Sequence, residues 1–206
     1  MTAPTLEFWY EFASTYSYPA AMRVEEVAAA RGVMLAWRPF LLGPLFFEQQ
    51  GLRDSPFNVV QAKGDYMWRD LERVCQAEGL PLQRPSEFPR NTLLPARLAL
   101  VGAEQGWIAP FSRAVYTANF AQDQDIADEA VLRPLLAQVG ADPDAALAAA
   151  ASAPVKAALK ANVEDAKGRG LFGAPSFLTA EGDLYWGNDR LEQAVDAAAR
   201  LTHEAA

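Results

Sequence analysis

The sequence predicts an α/β fold whose strands are interrupted by a large all-helical segment. Three observations predict it: residues 5–40 read as strand, helix, strand; residues 43–168 carry helical periodicity and no strand pattern; and residues 175–202 return to two strands and a helix.

Thr5 to Phe12 is dense in aromatics and flanked by Pro4 and the turn at Ser14, which makes it a buried strand. Tyr18 to Arg31 carries apolar residues at Met22, Val24, Val27 and Ala30, with Gly32 as the stop, and Pro19 requires the helix to begin near Ser17 or to kink there. Val33 to Phe40 is the next strand; two strands joined through a helix run parallel. Leu41 to Gly51, broken by Gly43 and Pro44, reads as an aromatic loop carrying Phe46 and Phe47, and Pro56 to Gly79 as one helix. Cys75 lies in the apolar stripe of that helix, the place of a small buried hydrophobe.

Pro81, Pro85, Pro89 and Pro95 punctuate a connector; Ala96 to Gln105 and Phe111 to Phe120 follow as helices. Asp125 and Asp128 stand before the apolar run Ile126 to Val139 as N-terminal caps, because their spacing with Asp123 lacks the glycine turn and distal glutamate of a calcium loop; no metal is expected. Pro143–Ala151 and Pro154–Gly168 are Ala-rich helices. Pro175–Thr179 and Leu184–Trp186 form a hairpin about Gly182, and Asn188-Asp189 caps a last helix, Arg190 to Thr202. A thioredoxin-like domain (residues 1–42 and 169–206) split by a helical insertion (43–168) places every strand.

Composition narrows the function. The 206 residues are 51% hydrophobic, enough for a real core, and a net charge of −8 argues against a nucleic-acid partner, which needs clustered Lys and Arg. No apolar run approaches the ~20 residues of a membrane span, and Met1-Thr2-Ala3-Pro4 lacks the basic and apolar regions of a signal peptide, so a cytoplasmic protein is expected. One cysteine allows no internal disulfide. One histidine, His203 near the C-terminus, disfavours a Ser-His-Asp triad, a Cys-His pair or a multi-histidine metal site. An enzyme built this way takes its reactive group from a cofactor.

The stretch from Glu7 to Met22 is where that group fits. A strand feeds a helix across Ser14-Thr15-Tyr16-Ser17, so backbone N–H groups and the positive end of a helix dipole lie beside the hydroxyls of Ser14, Thr15 and Ser17. Such a turn holds an anion.

The turn resembles the Ser-Pro-Tyr-Ser turn of the DsbA-like branch containing 2-hydroxychromene-2-carboxylate isomerases and kappa-class glutathione transferases. Arg38-Pro39-Phe40-Leu41-Leu42-Gly43 is similar to the end of that family's second strand, and Ala62-Lys63-Gly64-Asp65-Tyr66-Met67 with Asp70-Leu71-Glu72-Arg73 to its first inserted helix. Phe172-Gly173-Ala174-Pro175-Ser176 and Trp186-Gly187-Asn188-Asp189-Arg190 resemble its C-terminal half; Phe88-Pro89-Arg90-Asn91-Thr92-Leu93 and the latter strings look more like the isomerases. The order is the family's and the span nearly the whole chain. Thr15 and Pro19 depart from the family's proline and aliphatic residue, and Asp54 falls near a position commonly Asn in the transferases, where an acid would repel a carboxylate.

The resemblance implies glutathione as cofactor, a small aromatic substrate, and a homodimer. It implies that Ser14 donates to the glutathione thiolate, that Pro175 is cis and exposes the Ala174 backbone to the cysteinyl unit, that Asn188 and Asp189 take the γ-glutamyl end, and that Lys63 takes the glycyl carboxylate. Phe46 and Phe47 are the candidate pocket wall. Ser14 and Ser17 stand where the oxidoreductase relatives carry Cys-x-x-Cys, and a hydroxyl cannot cycle redox states, so dithiol exchange is not expected. Three readings follow: a glutathione-dependent isomerase of an aromatic-degradation intermediate, a kappa-like transferase or peroxidase, and a non-catalytic DsbA-like binding domain.

Overall fold

The computed structural model describes residues 3–204, with side chains through residue 201. Strand β1 (Thr5–Tyr10) leads through helix α1 (Ser17–Ala29) to β2 (Met34–Pro39); helices α2 (Leu42–Gln50), α3 (Pro56–Val59), α4 (Gln61–Ala77), α5 (Leu93–Gln105), α6 (Ile108–Ala121), α7 (Glu129–Gln138), α8 (Pro143–Ala150) and α9 (Ala153–Gly168) follow. The chain closes with β3 (Ser176–Thr179), β4 (Leu184–Trp186), a 3-10 turn over Asn188–Arg190 and α10 (Leu191–Glu204).

The sheet order is β2-β1-β3-β4, with β1 parallel to β2 and antiparallel to β3. β1 lies inside the sheet and is buried on both faces, which is why its sequence is aromatic rather than alternating. Leu6, Phe8 and Tyr10 enter the larger core, where Phe8 stacks on Phe177 at 5.4 Å and meets Trp37 edge-on at 5.0 Å. Trp9 faces the other side with Phe40, Leu45, Val163 and Leu171, so α2 and α9 cover that face. No helix among the described residues is long and apolar enough to cross a membrane.

Local chemistry explains the ends. Pro19 sits in the first turn of α1, which begins at Ser17, where a missing N–H costs nothing. Asp128 caps α7 by accepting from the Ala130 amide at 2.8 Å, and Asp125 accepts from the Ala127 amide at 3.0 Å. Asp123 instead pairs with the buried Arg90. Cys75 is buried and free, its thiol pushed up to about 11, first by burial and then by Glu78.

Three expectations are corrected. Leu41–Gly51 is a helix and not a loop: Gly43 and Pro44 fall in its first turn, where proline is tolerated, and Gly51 closes it in the left-handed conformation. The span Pro56–Gly79 is two helices, because Val60 is extended (φ −116°, ψ 95°) and lets α3 fold back on α4. Asn188 and Asp189 form a 3-10 turn ahead of α10, with no capping bond from a side chain.

The α3–α4 contact runs through Gly64, where an added Cβ would lie 2.2 Å from the Phe57 carbonyl oxygen. Gly64→Ala is expected to lower stability by about 1–3 kcal/mol through this backbone clash, read as a lower urea midpoint at unchanged slope.

Candidate active site

The site forms where the C-terminal end of β1 passes into α1. Ser14 Oγ accepts from the Ser17 amide at 3.3 Å and donates to the Ala174 carbonyl at 2.8 Å. Ser14 is 9% exposed, and the Ala174-Pro175 bond is cis, as the resemblance implied. The turn and the loop before β3 are therefore joined by the Ser14 hydroxyl. Thr15 and Ser17 display nothing to solvent: both are buried, and Ser17 Oγ faces the Tyr116 phenol short of a hydrogen bond. Ser17 is the first residue of α1 and is fully buried.

Tyr16, between the two serines, donates from its hydroxyl to Asp70 of α4 at 2.8 Å. Burial first raises its pKa above the ordinary phenol value, and Asp70, Tyr66 and Asp189 raise it further, which places those three groups around the phenol. Lys63 lies seven residues before Asp70, on the same stripe of α4 and two helical turns away; it is exposed and, among the described residues, has no ion-pair partner. Asp189 is exposed and lies 3.6 Å from Arg190, whereas Asn188 is 8% exposed and its buried Oδ1 has no hydrogen-bond partner. Asp54 is taken up locally, accepting from the Ser55 amide and the Asn58 side chain.

Phe46 is half-buried on α2 and Phe47 is 52% exposed beneath the Arg53 guanidinium, 5.4 Å from its ring centroid. Trp9, Tyr10 and Phe12 belong to the core, and Trp68 is packed between Phe88 and Arg84. Two residues before Ala174, Phe172 meets Trp186 at a tilt of 59° with ring centroids 4.9 Å apart, both rings half-exposed.

A further group emerges that sequence reasoning missed. Glu11 is 5% exposed: its Oε2 accepts from the Ala13 amide at 2.8 Å, and its Oε1 is paired with the Thr92 hydroxyl. The Glu11 main-chain carbonyl accepts from the Tyr116 hydroxyl at 2.9 Å and the Phe12 carbonyl from Asn119 Nδ2 at 3.0 Å, while Asn119 Oδ1 accepts from Arg90. Residues of the connector and of α6 thus hold the backbone that leads into Ser14. The available signal was an acid inside the aromatic run Phe8-Trp9-Tyr10-Glu11-Phe12.

The family model of the DSBA-like thioredoxin domain matches residues 5–199. The chain belongs to that family. It is 29% identical over 188 residues to a 2-hydroxychromene-2-carboxylate isomerase of Sphingobium xenophagum, covering 91% of this chain and 94% of that one. It is 26% identical over 212 residues to glutathione S-transferase kappa 2 of Caenorhabditis elegans, covering 93% and 90%. A solved 2-hydroxychromene-2-carboxylate isomerase superposes with a TM-score of 0.85 at 22% identity, covering 98% and 97%. This DSBA-like chain has Ser14 and Ser17 at the turn that opens α1, and its one cysteine lies on α4.

Burial raises the Glu11 carboxyl to about 7; the Thr92 hydroxyl and the amides of Ala13 and Ser14 pull it partly back. The folded chain therefore holds that proton more tightly than the unfolded chain. The stability it contributes is complete below the unfolded value of 4.5 and is lost as pH rises through about 7. Urea titrations at about pH 5 and pH 8 should show the wild type losing on the order of 3 kcal/mol more than Glu11→Gln across that interval.

Proposed function

We propose that the chain is a glutathione-dependent isomerase resembling 2-hydroxychromene-2-carboxylate isomerase, acting on an aromatic-degradation intermediate. The observation that carries the reading is the Ser14 hydroxyl, set at the start of α1 and hydrogen-bonded to the carbonyl beside cis-Pro175. A full-length relative at 29% identity bears that isomerase name.

The residues present fit glutathione. The buried Oδ1 of Asn188 has an open acceptor, Lys63 is an exposed cation on the α4 face that leads to Tyr16, and the Ala174 carbonyl has its bond from a hydroxyl that rotates. Glutathione, when bound, supplies a thiolate that adds reversibly to a carbon–carbon double bond, permitting rotation with no net redox change. Ser14 would turn its O–H from Ala174 to that sulfur, and the Ala174 carbonyl would then be free for the cysteinyl N–H, so one hydrogen bond would be exchanged for two. Free thiols ionise near 8.5, and helix N-termini lower this to about 3.5–7.5; two units correspond to ~2.7 kcal/mol, the size one charge-assisted hydrogen bond with a helix dipole supplies. Asn188 and Asp189 would hold the γ-glutamyl end and Lys63 the glycyl carboxylate. Phe46, Phe47 and the Phe172–Trp186 pair offer flat apolar surface for a ring system. The serine pair leaves no thiol to exchange at the turn, which is why dithiol oxidoreductase chemistry is not proposed. A homodimer in the cytoplasm belongs to the same reading, through the resemblance.

The kappa-class relative supports a second reading, a transferase that consumes glutathione on electrophiles. Turnover separates the two: glutathione is catalytic in isomerisation and stoichiometric in conjugation.

Calorimetric titration of glutathione into the wild type and Ser14→Ala is the decisive measurement. Wild-type binding with thiolate absorbance near neutral pH is expected, and the substitution is expected to cost about 1.5–3 kcal/mol of thiolate stabilisation. No binding at millimolar glutathione overturns the reading. Trp186→Ala should leave glutathione affinity unchanged and raise KM for an aromatic substrate about three- to tenfold, as loss of one aromatic contact requires.

A further inference from the structure

We infer that Glu11 tunes the anion affinity of the Ser14 turn: ionised, its buried carboxylate is an internal anion that opposes a second negative charge at Ser14, and protonated, it admits one. The inference deepens the thiolate reading above and rests on it for its functional meaning.

The geometry joins the two groups on one held piece of backbone. The Glu11 carbonyl accepts from the Ser14 amide at 3.0 Å, and the Glu11 carboxylate sits on the Ala13 amide at 2.8 Å, so the carboxyl group lies behind the turn that carries the Ser14 hydroxyl. An amide that would help an external anion already serves an internal one. Like charges sharing a buried site each disfavour the other's ionised form.

The surroundings leave Glu11 as the group that changes charge near neutrality. From α6 it is faced by the Tyr116 phenol, which Tyr10 also neighbours, and from the connector by Thr92; Asn119 holds the adjacent Phe12 carbonyl, with Arg90 behind it. Burial holds both phenols far above their ordinary values, so they stay neutral. Arg90 is engaged by Asp123 and Asn119. The Glu11 carboxyl stands at about 7. Its proton is therefore gained or lost where a bound thiol ionises.

Glutathione is not needed for the test. Ser14→Cys, made in a Cys75→Ala background, places a thiol at the turn whose thiolate absorbance is followed against pH. Adding Glu11→Gln is expected to lower that thiol's pKa by about one unit or more; an unchanged pKa overturns the inference. With native Glu11 the absorbance should rise in two coupled steps, and a single step of ordinary width overturns the inference as well. The coupled-step titration decides the matter if the Glu11→Gln protein does not fold. A failure of glutathione to bind the wild type would overturn the functional reading and leave this result standing.

Discussion

Where β1 ends, its carbonyl groups leave the sheet inside the protein, and buried carbonyls without partners are costly. The Tyr116 hydroxyl and the Asn119 amide supply the missing bonds, from 105 and 107 residues away in the chain. Thr92 reaches the Glu11 carboxyl across 81 residues. This attachment is what the site depends on. The turn holding Ser14 is a rigid extension of the insertion as much as of the sheet, and its position against Ala174 follows from both. Arg90 is the remote end of the same structure: a buried guanidinium, neutralised by Asp123, that fixes the Asn119 side chain.

Charge is distributed around the turn with the same economy. The neighbouring phenols, Tyr10, Tyr16 and Tyr116, are all driven by burial toward their neutral forms. The positive end of α1 and the amides of the turn are then the main stabilisers of negative charge there, and the Glu11 carboxyl already uses part of them. The Tyr16–Asp70 bond ties α4 to the turn.

The two cores divide the labour of the sheet. The face carrying Phe8 and Phe177 continues without a break into α5 and α6, so the elements that hold the turn share one apolar interior with the strands. The smaller face, around Trp9, Leu45 and Leu171, seats α2 against the loop leading to Ala174, and Gln49 donates to the Leu171 carbonyl at 2.9 Å. α2 thereby packs beside the segment that leads to Ala174.

The meeting of Ser14 with Ala174-Pro175, 160 residues apart, was implied by the family resemblance. The sequence by itself determined the order of the four strands along the chain, the parallel β1–β2 pair, a proline-compatible start of α1 near Ser17, the Asp128 cap and the burial of Cys75. These follow from period, capping chemistry and motif, which act over a few residues. Leu41–Gly51 was misread because Gly43 and Pro44 break helices in the interior, yet cost little in a first turn whose Leu42 and Leu45 pack into the cluster around Leu171. The break at Val60 carries neither Gly nor Pro; the approach of α3 onto Gly64 imposes it. Glu11, Thr92, Tyr116 and Asn119 were illegible as a group because nothing local relates them. Tertiary structure alone decided that a strand end would be satisfied from the insertion, since long-range hydrogen bonds are set by which surfaces pack and leave no period in the chain.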